Sequence, residues 1–464
     1  MHAGASLSMK AGIQLIKRLN MRKHHLNILI ILFILPLGVF SQKSWSLEDC
    51  IQYAHESNIQ IKQWELNTKV NANNLNQAKQ QRLPGLNASI NQNYNFGRTL
   101  QADNTYDNEN ITNTNLGINT RLYLFNGFQL SNSIKKNQFD LDASLADLEK
   151  AKNDITIRIA SAYLEILFAI ELVDATREQL EMVKLQVEQT SKLVEAGSLP
   201  KGNLLETEAQ VAREELNLVN YENNLRLAYL QLTQLLNLAD DPEFKILIPT
   251  LPKVKAAYSI IKAKNIFQKA VEIRPEIQSA TLKYRSNEQL LKIAKGAQLP
   301  SLSLNAGYGN NYYSNSKDAM GNEISFSKQL SNNHYQYIGL ALNIPIYNNG
   351  TIKNDIKNTR FQVENSRLEL ENTKKELREE IETAYNNALA AYQRYTTGQR
   401  ALESMEEAFR YTTEKYNLGL VNSMEYSQSK NNLIQARSEW IQSKYEFIFR
   451  TKILDFYNGV PIEL

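Results

Sequence analysis

The sequence predicts a mainly helical protein with a smaller membrane β portion, built from two copies of one unit. Two observations support this fold class. Residues recur at a nearly fixed offset between the two halves of the chain, and each half interrupts long helical sequence with a pair of short segments of alternating polarity. Glycine and proline are sparse, with 18 and 10 in 464 residues, as long helices require.

The duplication is visible in residues that keep their identity across the repeat. An offset of 222 residues relates Gly117, Lys135, Phe139, Ser144, Ala162, Tyr163 and Gly197 to Gly339, Lys357, Phe361, Ser366, Ala384, Tyr385 and Gly419. An offset of 216 residues relates Ala54, Leu75, Ala78, Leu83 and Pro84 to Ala270, Leu291, Ala294, Leu299 and Pro300. The second copy has therefore gained about six residues between its strands.

Residues 1–41 are predicted to be upstream residues and a cleaved signal peptide, with Met21 as the expected start. Basic residues 22–23 precede an apolar run from Leu26 to Phe40, and Ser41 follows it at the expected cleavage site. The run is shorter than the roughly 20 residues that span a bilayer, which favours a cleaved signal over a retained anchor.

The mature chain divides into two repeats joined by a linker. The first repeat, 42–240, is predicted to hold a helix from Leu47 to about Arg82, a strand pair at 86–125, a long helix at 130–196 and a helix at 203–237. The second repeat, 265–464, is predicted to hold a helix, a strand pair at 301–347, a long helix at 352–418 and a helix at 424–457. Residues 241–264 contain Pro242, Pro249 and Pro252 and are expected to form a non-helical equatorial linker. Ser46 and Asp49 fit the N-cap of the first helix.

The strand pairs alternate apolar residues with asparagine, serine and glycine. That period is typical of a transmembrane barrel with a polar lumen, and equally of a soluble sheet with one solvated face. The loops near Arg98–Thr112 and Asn310–Asn333 are long and polar, which favours the membrane interpretation. Four strands cannot close a barrel, and open edges in hydrocarbon cost several kcal/mol per unpaired group, so this interpretation requires oligomerisation.

Composition argues against several other classes of protein. The 52 basic and 49 acidic residues nearly cancel, so no nucleic-acid partner is expected. The single cysteine, Cys50, excludes an internal disulfide. His55 and His334 are isolated, and no acid, base and nucleophile set is evident, so we expect neither an enzyme nor a cofactor or metal site.

The order and spacing of short motifs in both copies resembles the TolC family of outer-membrane efflux proteins, over nearly everything from Leu47 to Gly459. These motifs are Leu83-Pro84, Leu299-Pro300, Phe125-Asn126-Gly127, Tyr347-Asn348-Asn349-Gly350, Gly197-Ser198-Leu199 and Gly419-Leu420-Val421. The resemblance implies a homotrimer in the outer membrane of a Gram-negative bacterium, with a shared 12-stranded barrel in lipid and a helical tunnel through the periplasm. It also implies docking to a periplasmic membrane-fusion adaptor and an inner-membrane pump of the RND or ABC type.

The resemblance further implies a closed periplasmic end with a ring of carboxylates after the second tip. The matching positions, six and nine residues beyond Gly419, are Glu425 and Gln428, so one of the two acids is replaced. Three Glu425 side chains meeting near an axis would attract cations, and Gln428 is expected to weaken that preference. Tyr416 matches a position that helps to latch the closed state in the family.

The two predicted hairpin tips are the candidate adaptor-docking residues: Gly197, Ser198, Leu199, Gly419, Leu420 and Val421. Glycine allows close backbone approach, and small apolar side chains offer knobs to a coiled-coil partner. Helix capping would use the same residues. The predicted function is therefore a passive export duct, and the alternative is a coiled-coil scaffold or adhesin without a pore.

Overall fold

The computed structural model describes residues 44–100, 104–238, 244–249 and 261–464. The expected signal peptide, including Met21, lies outside these ranges, as does most of the expected linker at 241–264.

The contacts divide the described residues into two units, a smaller one with residues 44–45 and 244–247, and a larger one with the rest of the described chain. In the smaller unit, the Trp45 amide donates to the Lys245 carbonyl at 2.9 Å, and the Leu247 amide donates to the Trp45 carbonyl at 2.8 Å. These bonds flank a short parallel bridge between Trp45 and Ile246, near the start of the expected linker.

In the larger unit the described residues form nine helices and six strands. The helices are α1 Leu47–Ser57, α2 Ile59–Gln80, α3 Gln129–Glu195, α4 Lys201–Leu236, α5 Ala263–Ile273, α6 Pro275–Gly296, α7 Phe326–Asn332, α8 Thr351–Asn417 and α9 Ser423–Tyr457. The strands are β1 Gly85–Asn95, β2 Arg98–Leu100, β3 Tyr106–Asn108, β4 Ile111–Asn126, β5 Ser301–Tyr313 and β6 Tyr335–Asn343.

The helix that precedes the strands is broken in both copies, which corrects the expectation of one helix from Leu47 to about Arg82. In the first copy Asn58 ends α1 and caps α2, because its side chain accepts from the Gln60 amide at 2.8 Å. In the second copy α5 ends before Arg274, and Pro275 opens α6. The two breaks are 216 residues apart and therefore occupy equivalent positions. The expected N-cap of α1 is confirmed, since Ser46 and Asp49 form a capping box.

The two long helices are equal in length. Helices α3 and α8 each contain 67 residues, which corresponds to about 100 Å. The sequence placed them at 130–196 and 352–418, one residue later at each end. Helix α3 packs against α2, α4 and α6, and α8 packs against α6 and α9. The interior of this packing includes Ile159, Tyr163 and Ile166 of α3, all fully buried.

The four long strands form one antiparallel sheet in the order β1-β4-β5-β6. Because side chains alternate between faces, the register separates the two kinds of residue seen in the sequence. One face carries rows such as Ala88, Ile118 and Tyr308, and the other carries rows such as Asn87, Asn119, Gly307 and Tyr337. The edges of this sheet are β1 and β6, and every residue of both strands is exposed.

Three details of the strand regions differ from the expectation. Strand β6 ends at Asn343, short of 347, because Pro345 has no amide hydrogen to donate to the ladder. The first loop, expected to be long and polar, contains the β2–β3 hairpin. The second contains α7, held against β5 by Gln329, whose side chain donates to the Tyr313 carbonyl at 2.9 Å.

Candidate functional site

The first hairpin tip joins α3 to α4 through a glycine in the left-handed region. Gly197 has φ +73°, and the Ser198 amide donates to the Leu193 carbonyl at 2.8 Å, which closes the end of α3. Pro200 is the N-cap residue of α4 and has an extended backbone conformation. Gly197 and Ser198 are exposed and Leu199 is half-buried.

The second tip, between α8 and α9, has the same construction. Gly419 has φ +71°, and the Leu420 amide donates to the Lys415 carbonyl at 2.9 Å. Leu420 is 69% exposed, and Val421 is half-buried. An added Cβ at Gly197 or Gly419 would meet nothing within 4 Å, so backbone conformation and not crowding explains both glycines. Each tip thus presents an open surface whose backbone shape depends on glycine.

Tyr416 packs inside its own hairpin. Its ring centroid is 4.7 Å from that of Tyr426, and the Phe409 ring centroid lies 5.3 Å from that of Tyr426. Burial raises the pKa of the Tyr426 phenol. These three rings connect the last turns of α8 to the first turn of α9, so the tyrosine expected to act as a latch is part of an aromatic cluster at the tip.

Glu425 and Gln428 lie in the first two turns of α9 and both are exposed. The Glu425 amide donates to the Asn422 side chain at 2.8 Å, which caps the helix. The Gln428 amide group donates to Asn432 at 3.0 Å. Residues three apart on a helix share a face, so the acid and the amide point the same way.

The turn residues of the two tips are not joined by polar contacts. Among the described residues, no hydrogen bond or ion pair joins 197–199 to 419–421. The hairpins meet further from the tips, where the Ser427 hydroxyl donates to the Gln210 side chain at 2.9 Å.

Beyond that bond lies a buried polar cluster that sequence reasoning did not find. Lys430 of α9 is 3% exposed, and Gln210 and Glu214 of α4 are 3% and 5% exposed. Burial lowers the pKa of the Lys430 ammonium to about 8, and Glu214 opposes that shift. Nothing in the pattern of either helix marks the pair, because each residue looks like a solvated charge until the hairpins are placed together.

The sequence analysis also did not predict the packing of two tyrosine rings on the polar face of the sheet. Tyr337 of β6 lies across Gly307 of β5, and its hydroxyl donates to Asn119 of β4 at 3.0 Å. Tyr335 lies across Gly309 in the same way. The two tyrosine rings therefore pack directly against the backbone of these glycines.

The described residues contain no group of three or more histidine, cysteine or acidic side chains that could hold a metal ion. His55 is half-buried and its Nε2 lies 3.0 Å from the Thr156 hydroxyl, while Nδ1 of His334 lies 3.0 Å from the Ser331 carbonyl. No helix in the described part of the chain combines the length and apolar character needed to cross a bilayer.

Comparison with known proteins gives a consistent result. Residues 50–238 and 266–448 match the family described as outer membrane efflux protein. The outer membrane protein TolC of Vibrio cholerae is 21% identical over 416 residues, covering 89% of this chain and 90% of the relative. TolC of Escherichia coli is 22% identical, covering 91% of this chain and 84% of the relative.

Two solved structures share the fold. CusC superposes with a TM-score of 0.75 at 16% identity, covering 89% of this chain and 92% of CusC. The outer membrane protein VceC of Vibrio cholerae superposes with a TM-score of 0.74 at 17% identity, covering 90% of this chain and 97% of VceC.

Proposed function

This chain belongs to the outer membrane efflux protein family, and on that premise we propose how its residues make it a gated export duct. The family accounts for the location and the general activity: the protein is an outer-membrane channel for efflux or export. The proposal concerns the assembly, the partners and the residues that control flow.

The open sheet carries the proposal. Strands β1 and β6 are fully exposed edges, and Leu86, Ile90, Ile338 and Leu340 on the apolar face are each at least 66% exposed. Apolar side chains of this exposure need lipid, and edges in lipid need partner strands. Pairing β6 of one protomer with β1 of the next satisfies both requirements, and in a homotrimer it produces a closed barrel of twelve strands.

Closure of that barrel would place the asparagine-rich face toward the lumen and the leucine-rich face toward outer-membrane lipid. The 67-residue helices would then extend the duct through the periplasm. Energy and cargo choice would come from an inner-membrane pump of the RND or ABC type, so the duct itself needs no catalytic residue.

We assign the two tips to docking a periplasmic membrane-fusion adaptor. The open space around Gly197 and Gly419 and the exposure of Ser198 and Leu420 support this assignment. Leu199 and Val421 are half-buried and would form the edges of the same docking surface.

The constriction is assigned to Glu425, with Gln428 on the same helix face. Three Glu425 carboxylates near one axis would favour cations, and the neutral Gln428 would moderate that preference. The cluster of Tyr416, Tyr426 and Phe409 would hold α8 and α9 in the closed arrangement.

The test is single-channel conductance of purified protein in planar bilayers. We expect small cation-preferring currents from the native chain, and larger, less selective currents from Glu425→Ala combined with Tyr416→Phe. A matched control is Glu439→Ala, an exposed acid on α9 away from the tip, which is expected to leave the currents unchanged. Correctly inserted protein that passes no current in any form would refute the duct and favour the scaffold alternative.

Assembly is tested separately by electrophoresis in mild detergent. Unboiled protein is expected to migrate at about three times the mass of boiled protein. A product that is monomeric and fully water-soluble would contradict the shared barrel.

A further inference from the structure

The polar face of the four-stranded sheet carries one charged side chain, an arginine. Within β1, β4, β5 and β6, all of which are described, Arg121 is the single charged residue. It is exposed, and no carboxylate among the described residues forms an ion pair with it. Several other arginines of the described chain do have acidic partners, as Arg410 has in Glu407 and Glu414.

The Arg121 guanidinium is held in place from one side only. Its Nε donates to the Asn305 Oδ1 atom on the neighbouring strand at 2.9 Å. A guanidinium carries five N–H donors in a planar fork, so this bond orients the group and leaves both terminal amino groups to donate elsewhere.

The register leaves space around this group. Arg121 pairs with Gly85 of β1 on one side and with Asn305 on the other, and Asn305 pairs with Gly339 of β6. An added Cβ at Gly85 or Gly339 would meet nothing within 4 Å. The row therefore consists of an oriented cation and an amide between two glycines, and the space beside each glycine is open.

From this row we propose that Arg121 is an anion-binding station of the duct, which takes a carboxylate, sulfonate or phosphate group of passing cargo. The inference rests on the proposed function, in which the polar face lines the lumen. Three copies of Arg121 would then lie at one level, near the end of the sheet where the helices begin. Rings of arginine favour anions, and the planar fork can hold a carboxylate or phosphate through two parallel hydrogen bonds.

The station would act in the opposite sense to Glu425. The tip would admit cations more readily, and the sheet would attract anions, so cargo that carries an anionic group would gain a contact after passing the tip.

The test measures the local potential beside Arg121 and does not depend on the gate. Asn87 lies on the same face of β1, diagonal to Arg121, and is replaced by cysteine. The purified, reconstituted protein is treated with an anionic and a cationic methanethiosulfonate reagent of similar size, and the two rates are compared. Cys50 gives no background, because it is fully buried and burial raises the pKa of its thiol to about 12.

We expect the anionic reagent to react faster at Asn87→Cys. Adding Arg121→Gln is expected to lower the ratio of the anionic to the cationic rate roughly fivefold at low salt, and less at high salt. Using the ratio removes any effect of Arg121 on the thiolate itself, since that effect speeds both reagents equally. Arg121→Lys is expected to keep most of the ratio, and Arg98→Gln, which removes a positive charge from the β2 hairpin, is expected to leave it unchanged.

The outcomes separate the inference from the function on which it rests. If Asn87→Cys reacts with both reagents and Arg121→Gln leaves the ratio of their rates unchanged, anion binding at Arg121 is refuted. The assignment of the polar face to the lumen is then retained. If Asn87→Cys reacts with neither reagent and Leu86→Cys, on the opposite face, reacts with both, the polar face does not line a lumen and the proposed duct fails as well. If Arg121→Gln does not assemble, the rates at Asn87→Cys are measured with free phosphate or a sulfonate as competitor. A fall in the ratio of the anionic to the cationic rate supports anion binding at Arg121. An unchanged ratio overturns it.

Discussion

Lys430 of α9 and Glu214 of α4 form a buried pair of opposite charges between the two periplasmic hairpins. They are 3% and 5% exposed, and the nearby bond from Ser427 to Gln210 joins the same two helices. Burial of a charge without ideal pairing is costly, so this pair favours a particular placement of the hairpins more than it favours stability.

The pair predicts a pH-dependent stability. The pKa of Lys430 falls from 10.5 to about 8 on folding, so between these values the unfolded chain holds a proton that the folded chain lacks. The free energy of unfolding should therefore rise as pH rises from about 8 to 10.5. Below pH 8 both states hold the proton, and the full cost of the buried charge is present.

The measurement is the thermal midpoint of the wild type and of Lys430→Met across this pH range in detergent. Methionine removes the titrating group, so its stability advantage should be largest near pH 8 and should shrink toward pH 10.5. Lys375→Met, at an exposed site on α8, is the matched control and should show no such trend. An advantage that is equal at both ends of the range would contradict the prediction.

A second prediction concerns the glycines that end the two strand pairs. Gly127 and Gly350 both have positive φ, +63° and +77°, so alanine at either position is strained by roughly 1–2 kcal/mol. Only Gly127 is also crowded, because an added Cβ would overlap the carbonyl group of Gly296 on α6, whereas at Gly350 the nearest atom is 3.9 Å away.

Gly127→Ala should therefore lower the yield of the detergent-stable oligomer much more than Gly350→Ala. Heat resistance of the oligomer on gels compares the two variants directly. Equal losses would show that backbone strain alone decides both positions and that the close approach of Gly127 to Gly296 is unimportant.

The sequence predicts those features that depend on neighbouring residues, and it misses those that depend on contacts between distant segments. The lengths of α3 and α8 and the turns at Gly197 and Gly419 follow from periodicity and from the need for positive φ, both of which are local. The break at Asn58 was missed, because an asparagine inside an amphipathic pattern is read as a surface residue until its side chain is seen to cap the next helix. The burial of Lys430 depends on contacts between distant segments, and no single-helix pattern reports it.

A third prediction separates docking from capping at the tips. Leu420 is 69% exposed and takes no part in the turn through its side chain, so Leu420→Asp should leave folding and oligomer stability unchanged. If the tip docks an adaptor, the variant should lose at least tenfold of the protection that the wild-type gene restores to a deletion strain against a toxic compound. Gly419→Asn is the control for capping, since asparagine tolerates the left-handed conformation and should retain function. Full protection by Leu420→Asp would place the docking surface elsewhere.

The last prediction tests the tyrosine that crosses the polar face of the sheet. The Tyr337 ring lies over Gly307, and an added Cβ there would come within about 2.5 Å of the ring, so Gly307→Ala must push the ring off the sheet and break its bond to Asn119. Gly339 is on the same face with nothing within 4 Å, so Gly339→Ala should be neutral or slightly stabilising. The thermal midpoint of the oligomer should fall for Gly307→Ala and hold for Gly339→Ala. In a double-mutant cycle, Gly307→Ala should cost less when Tyr337 is already serine, because the clash with the ring is removed and only the contact with the Asn119 side chain remains. Additive losses in that cycle would mean that the ring and the glycine act independently, and the packing of Tyr337 over Gly307 would then contribute nothing to the stability of the sheet.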